Sequence, residues 1–198
     1  MADGASHSAP ASGAALSRGG ARTLALIGAL ALAPIVAAIV VYHYFPRHAT
    51  TNYGTLLPTL AAPQIAGSRP DGAPFGLDEL RGRWILLSGS ATDCGVRCDK
   101  ALYATRQART MQGKDQDRIV RVWLVVADAM PAPALLAQHP DLVVARVARG
   151  ALDRLPGGIG HWYVIDPLGN MVLRYPDDPD IRGVANDLTR LLKASRIG

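Results

Sequence analysis

The sequence predicts an α/β domain, a mixed central sheet flanked by helices, preceded by one N-terminal transmembrane helix. Three observations predict it. Residues 23–45 are apolar and free of charge, two strand-type apolar runs enclose a helical segment, and two later strands flank a proline–glycine turn. A length of 198 residues suits one domain plus an anchor. The net charge of +5 is spread along the chain without blocks, and no nucleic-acid motif accompanies it. It reads as a solubilising charge, and nucleic acid is not expected as a partner.

Residues 1–22, rich in Ala, Ser and Gly, read as a disordered cytoplasmic tail. As a helix, 23–45 would be about 34 Å long, enough to cross a bilayer core of roughly 30 Å. Pro34 is tolerated in such a helix, and Tyr42, His43, Tyr44 and Phe45 suit the interface at its far end. A cleaved signal peptide is the alternative, but the run exceeds a signal core and no small-x-small cleavage site follows. Arg18 and Arg22 precede the span, and only Arg47 closely follows it. That asymmetry favours a cytoplasmic N-terminus with the C-terminal domain outside. In a bacterium this means a single-pass inner-membrane protein with a periplasmic domain, where disulfides persist.

Residues 46–74, with Pro46, Pro58, Pro63, Pro70 and Pro74, read as an extended linker, and residues 75–198 as the folded domain. Leu77–Gly82 suits one helical turn closed by glycine. Trp84–Leu87 is a buried strand, followed by a small polar loop over 88–93. The next helix runs from near Cys94 to about Gln112, with Cys98, Ala101, Leu102, Thr105 and Ala108 as a weak apolar stripe. Gly113 to Asp117 breaks it. Val120–Val126 is the second strong strand, Pro131–His139 a short helix and Leu142–Val147 a third strand. His161–Ile165 and Met171–Tyr175 form a hairpin around Asp166–Asn170. Ile181, Val184, Ala185, Leu188, Leu191 and Leu192 repeat at helical spacing, with Asp178 as candidate cap and Pro179 at the first helical position. Helices between strands imply parallel neighbours, and the hairpin adds antiparallel ones.

The chain has two cysteines, Cys94 and Cys98, four positions apart. At a helix start, positions i and i+4 share a face and are close enough for a disulfide or a shared metal. The helix N-terminus and Arg97 favour the thiolate, the form that attacks disulfides and binds metals. A disulfide closing so short a loop removes little chain entropy, which points to redox or metal chemistry rather than stapling. A thiolate pair selects soft Cu(I), and a third ligand would come from His139 or His161. His161 is the better placed, because it opens the strand after the Pro156–Gly160 loop.

Leu77–Trp84 before the first core strand, the Cys-x-x-x-Cys of Cys94 and Cys98, and Tyr163–Gly169 in the hairpin together resemble the thioredoxin-like superfamily. Within it they resemble the Sco (SenC) family of cytochrome oxidase assembly proteins, over residues 55–195. The N-terminal anchor is similar too. The resemblance implies a thioredoxin-like fold, copper held by Cys94 and Cys98 with a later histidine, and a partner that is the copper subunit of a respiratory oxidase or another copper or thiol protein. The family's histidine position falls on Gly158, so His161 would be its substitute here. Three functions remain open: a copper-binding assembly factor, a periplasmic thiol–disulfide oxidoreductase without metal storage, and a non-catalytic assembly subunit. Trp84, Trp123 and Trp162 read as core aromatics. Asp128, Asp166 and Asp187 show no paired arrangement for acid–base catalysis, and no phosphate-binding glycine loop occurs.

Overall fold

The computed structural model describes residues 18–44, 52–91, 95–126, 131–158 and 160–195. The readings that concern residues 1–17, Phe45, Cys94 and Asp128 therefore lie outside the described residues. The chain divides into two compact units, 1–50 and 51–198.

The described residues of the first unit form one helix, α1 (Arg18–Tyr44). Its segment Gly20–Val41 has a mean hydropathy of 2.8, no buried share, and the length and composition to cross a membrane. The helix starts earlier than residue 23, so 18–22 are helical rather than part of a tail. Once a helix is nucleated, each added residue gains a backbone hydrogen bond, which here outweighs the cost of about 1 kcal/mol that each of Gly19 and Gly20 carries relative to alanine.

The second unit is built on an eight-stranded mixed sheet of order β1-β8-β7-β4-β5-β6-β2-β3. The strands are β1 (Thr55–Ala61), β2 (Ala66–Ser68), β3 (Pro74–Gly76), β4 (Trp84–Ala91), β5 (Ile119–Val126), β6 (Leu142–Val147), β7 (Trp162–Ile165) and β8 (Asn170–Tyr175). The central trio β4, β5 and β6 is parallel, joined by α2 (Gly95–Thr110) and α3 (Pro133–Ala137). The β7–β8 hairpin adds antiparallel strands beside β4, as its turn residues predict. A short helix, α4 (Arg149–Leu152), precedes β7, and α5 (Ile181–Ala194) closes the domain. This is the expected thioredoxin-like architecture.

The expected linker over 46–74 requires correction, because three strands lie within 55–76. The prolines that suggested a linker are those an edge strand accepts, since proline has no N–H to give to a ladder. β1 is the outermost strand on one side and carries Pro58 inside an irregular register against β8. Pro74 is the first residue of β3, the outermost strand on the other side.

Strand alternation sorts the core onto two sides. Val120, Val122, Leu124 and Val126 of β5 pack with Ile85, Leu87, Tyr163, Ile165 and Leu152 in one cluster. Trp123 and Val125 face the opposite way, with Cys98, Leu102 and Val144. On that same side Trp84, Leu86, Trp162 and Val164 meet Ala104 and Ala108 of α2 and Val184, Leu188 and Leu192 of α5.

The α5 cap differs from the expected one. Asp180, not Asp178, is the N-cap and accepts a 2.7 Å hydrogen bond from the Gly183 N–H. Asp178 instead pairs with Lys100 of α2. Asp187 of α5 is fully buried and accepts from the Tyr53 N–H (3.0 Å), the Gly54 N–H (2.8 Å) and the Tyr175 hydroxyl (3.3 Å). Gly54 is required at this fastening, because a Cβ there would come within 2.5 Å of the Tyr175 ring. Burial, reinforced by the neighbouring Asp187 carboxylate, pushes the Tyr175 hydroxyl far up, so it stays a neutral donor.

Candidate functional site

The site grows from the end of β4. That strand pairs with β5 along its whole length, up to Ala91 opposite Val126. On its other side β7 begins only at Trp162, opposite Ser88. The last three residues of β4 are therefore supported by β5 alone, and a cavity of about 240 Å³ opens beside them. Gly160 has φ +93°, a left-handed conformation open to glycine, and it turns the chain away before β7 begins.

Cys98 lies in the first turn of α2, lines this cavity, and is 5% exposed. It is disulfide-bonded. Cys94, the other cysteine of the chain, lies outside the described residues. Trp123, Trp162, Ser90 and Gly160 form more of the wall, and the Trp123 indole N–H donates to the Ser90 hydroxyl at 2.9 Å. Arg97 and Asp177 bring one cation and one carboxylate to the same cavity.

Behind Cys98, α2 rests on a buried cation. Arg121 of β5 is 0% exposed and faces α2. It donates to the Leu102 carbonyl at 2.7 Å, to the Thr105 hydroxyl at 3.0 Å and to the Asp141 carboxylate at 3.1 Å. Burial lowers the Arg121 pKa, opposed by Asp141. Burial also raises that of Asp141, but the Arg121 charge and hydrogen bond outweigh it and hold the carboxyl below its usual range. His139 packs nearby, 8% exposed, with its Nδ1 unpartnered among the described residues. Burial, followed by Arg121 and Arg106, pushes it down, so it is a neutral imidazole near neutral pH.

His161 is not among the residues lining the Cys98 cavity. It lies two residues before Tyr163, hence on the sheet side opposite Trp162, with its ring 6.5 Å from the Tyr163 ring. The Tyr163 hydroxyl donates to the Pro156 (3.1 Å) and Gly158 (2.8 Å) carbonyls, pinning the glycine-rich loop on that side. Among the described residues no group of three or more His, Cys, Asp or Glu is placed to hold a metal ion. Cys94 is not among the described residues, so a site of Cys94, Cys98 and His161 lies beyond them; of the two that are described, Cys98 lines the cavity and His161 does not. A reduced cysteine pair remains a two-sulfur donor of the kind Cu(I) favours.

The sequence reading placed Trp123 and Trp162 in the core, and they are buried; they also wall the cavity. Their alternation with Val122 and Tyr163, on the two strands that flank β4, is the signal for that second role. Nothing in the local sequence distinguishes Asp177 from Asp178. Only the tertiary fold brings it beside Gly160.

Comparison with known proteins agrees with this architecture. The family profile described as "transmembrane-like, thioredoxin-like, C-terminal domain" matches residues 84–195. The crystal structure of copper-bound ScoI from Arabidopsis thaliana superposes with a TM-score of 0.58 at 16% identity, covering 69% of this chain and 100% of that one. Apo Sco1 from Thermus thermophilus gives 0.55 at 22% identity, with coverages of 72% and 96%. A putative thiol:disulfide interchange protein DsbE from Chlorobium tepidum gives 0.53 at 24%, with 71% and 100%. At these identities the likeness is one of fold. No curated protein matches the sequence.

Proposed function

The chain belongs to the family of transmembrane-like, thioredoxin-like C-terminal domains, and from that premise we propose that it is a membrane-anchored thiol–disulfide exchange protein acting on a copper- or thiol-bearing partner outside the cytoplasm. The observation that carries this reading is the disulfide-bonded Cys98 on the wall of an open cavity at the strand-to-helix junction. A disulfide kept only as a staple has no need of such a cavity.

Because Cys98 is nearly covered, a partner thiolate attacks the other sulfur of the pair, Cys94. The S–S bond breaks, a mixed disulfide forms on Cys94, and Cys98 leaves as a thiolate favoured by the α2 N-terminus and Arg97. A second partner thiolate then attacks the mixed disulfide. The partner departs as a disulfide, the pair is left reduced with two protons from the partner thiols, and two electrons have moved. The reverse sequence reduces a partner disulfide, and relative reduction potentials set the direction. Anchoring by α1, with the N-terminus cytoplasmic and the domain periplasmic, puts this chemistry in an oxidising compartment.

The test is a redox titration of the full chain in detergent micelles against thiol–disulfide couples, read by alkylation and mass. A reversible two-electron transition, lost in Cys98→Ser, is expected. A pair that stays oxidised and inert toward external thiols at every potential would sink the reading.

A second reading takes Cu(I) as cargo on the reduced pair, destined for the copper subunit of a respiratory oxidase. Its support is the fold shared with a Sco protein solved with copper bound. Competition with a Cu(I) chelator should show binding by the reduced full chain that Cys94→Ser removes. His161→Ala should leave that affinity unchanged, since His161 is not among the residues that line the cavity. No copper retention by the reduced chain would eliminate this reading and leave the first intact.

A further inference from the structure

Two opposite charges line the Cys98 cavity; the exchange steps above use Arg97 only as a cation near the leaving thiolate and do not use Asp177. Arg97 precedes Cys98 on α2, and Asp177 follows β8. Both side chains are exposed, and among the described residues neither makes a hydrogen bond or ion pair. They line one cavity yet do not pair with each other, although the adjacent Asp178 does find a cation in Lys100. Asp177 stands over Gly160, its carboxyl carbon 3.7 Å from where a Cβ would be. A Cβ at 160 would meet that carboxylate in ordinary van der Waals contact, and it is the positive φ of +93° that favours glycine there. The cavity that both charges line also carries Trp162 and Trp123, whose indole N–H is held by the Ser90 hydroxyl.

From this arrangement we infer that Arg97 and Asp177 are specificity-determining residues, which select and orient an extended, cysteine-bearing segment of the partner protein carrying an acidic residue on one side of its cysteine and a basic residue on the other. The inference rests on the exchange reading and adds the class of partner segment. A cavity of about 240 Å³ is smaller than the roughly 300–1,000 Å³ typical of pockets for cofactors and drug-sized ligands, and suits a few residues of polypeptide. One fixed cation and one fixed anion give such a segment a direction. With the matching polarity both charges are satisfied, and with the reverse polarity both meet like charge. Exposed pairs are individually weak, so the preference is kinetic and graded rather than absolute.

The test uses the oxidised full chain in detergent micelles and two blocked thiol peptides of identical composition, Lys-Gly-Cys-Gly-Glu and Glu-Gly-Cys-Gly-Lys. Peptide thiolate attacks the pair to give the mixed disulfide and the Cys98 thiolate, which takes a proton from solvent. A second peptide thiolate releases the peptide disulfide and the reduced pair. The readout is the ratio of the two rates of mixed-disulfide formation, in which a general change in cysteine reactivity cancels. The expected ratio departs from one by about three- to tenfold and collapses as salt is raised. Exchanging the charges, as Arg97→Glu with Asp177→Lys, should invert it. Neutralising them, as Arg97→Gln with Asp177→Asn, should bring it to one and serves if the exchanged variant folds poorly. A wild-type ratio of one, or a preference of the same sense after exchange, overturns the inference while leaving thiol exchange standing. If neither peptide reduces the wild-type pair, the exchange reading fails and this inference with it.

Discussion

The two faces of the central sheet are built from the same strands but not from the same chemistry. On the face of Leu87, Val122 and Leu124 the buried side chains are almost entirely apolar, with the Tyr163 hydroxyl as a polar tip. On the α2 and α5 face lie Ser88, Thr105, Gln112, Arg121, His139 and Asp187, all buried and polar or charged. Well-packed apolar residues in place of the Arg121–Asp141 pair would serve stability about as well, because desolvating charges consumes much of what pairing returns. The concentration of the buried polar residues on the side that holds Cys98 shows where the fold gives up dryness to position a helix.

The sharpest way to break that contrast is Arg121→Ala, which removes the cation and leaves the Leu102 carbonyl, the Thr105 hydroxyl and a cavity behind. A loss of about 3–5 kcal/mol is expected in denaturant unfolding. It should come with altered thiol reactivity, because α2 loses its support one turn past Cys98. On the dry face, Leu87→Ala should lose about 2–5 kcal/mol by leaving a cavity, with the rate of Cys98 alkylation after reduction unchanged. Equal effects of the two variants on thiol reactivity would abolish the distinction between the faces. Asp187→Asn keeps the shape but removes the charge that two backbone N–H groups share, and should cost about 1–3 kcal/mol. Hydrogen exchange should report it as faster opening near Tyr53 and Gly54.

The smallest effect should appear with acid. His139 has a depressed pKa in the folded domain, so the unfolded chain binds its proton more readily. Its contribution is intact above the unfolded value of about 6.5 and is lost as pH falls below it. The midpoint of thermal unfolding should therefore fall between pH 7 and 5, and His139→Phe should flatten that slope. An unchanged slope would assign the acid sensitivity to other groups. Asp141 acts only at lower pH, since its depressed carboxyl must be protonated before the pair with Arg121 is lost.

Much of the fold was legible because its central strands are largely buried and read as dense apolar runs, as in Trp84–Leu87, Val120–Val126 and Leu142–Val147, with Arg121 and Arg146 as single interruptions. The outer strands were not. Pro58 and Pro74 carry the same signal in a linker as in an edge strand, and only pairing with β8 or β2 separates the two cases. The α5 cap differs by two residues because Asp178 and Asp180 both suit a helix start; in the fold Asp180 accepts from the Gly183 N–H while Asp178 pairs with Lys100. In the site, the cysteine spacing announced the chemistry, but the charges that flank it did not announce themselves. Arg121 sat inside a strand pattern strong enough to hide it. The position of His161 turned on strand parity, which places it with Tyr163 and away from Trp162.

The prolines of the outer strands have a consequence for life in a crowd. Anchored copies confined to a surface collide far more often than copies free in solution, and an eight-stranded sheet with bare margins would invite them to zip together. Pro58 leaves a gap in the row of donors along one margin, and Pro74 does the same at the first position of the other. The margins are thereby blunted against strand-to-strand pairing between copies.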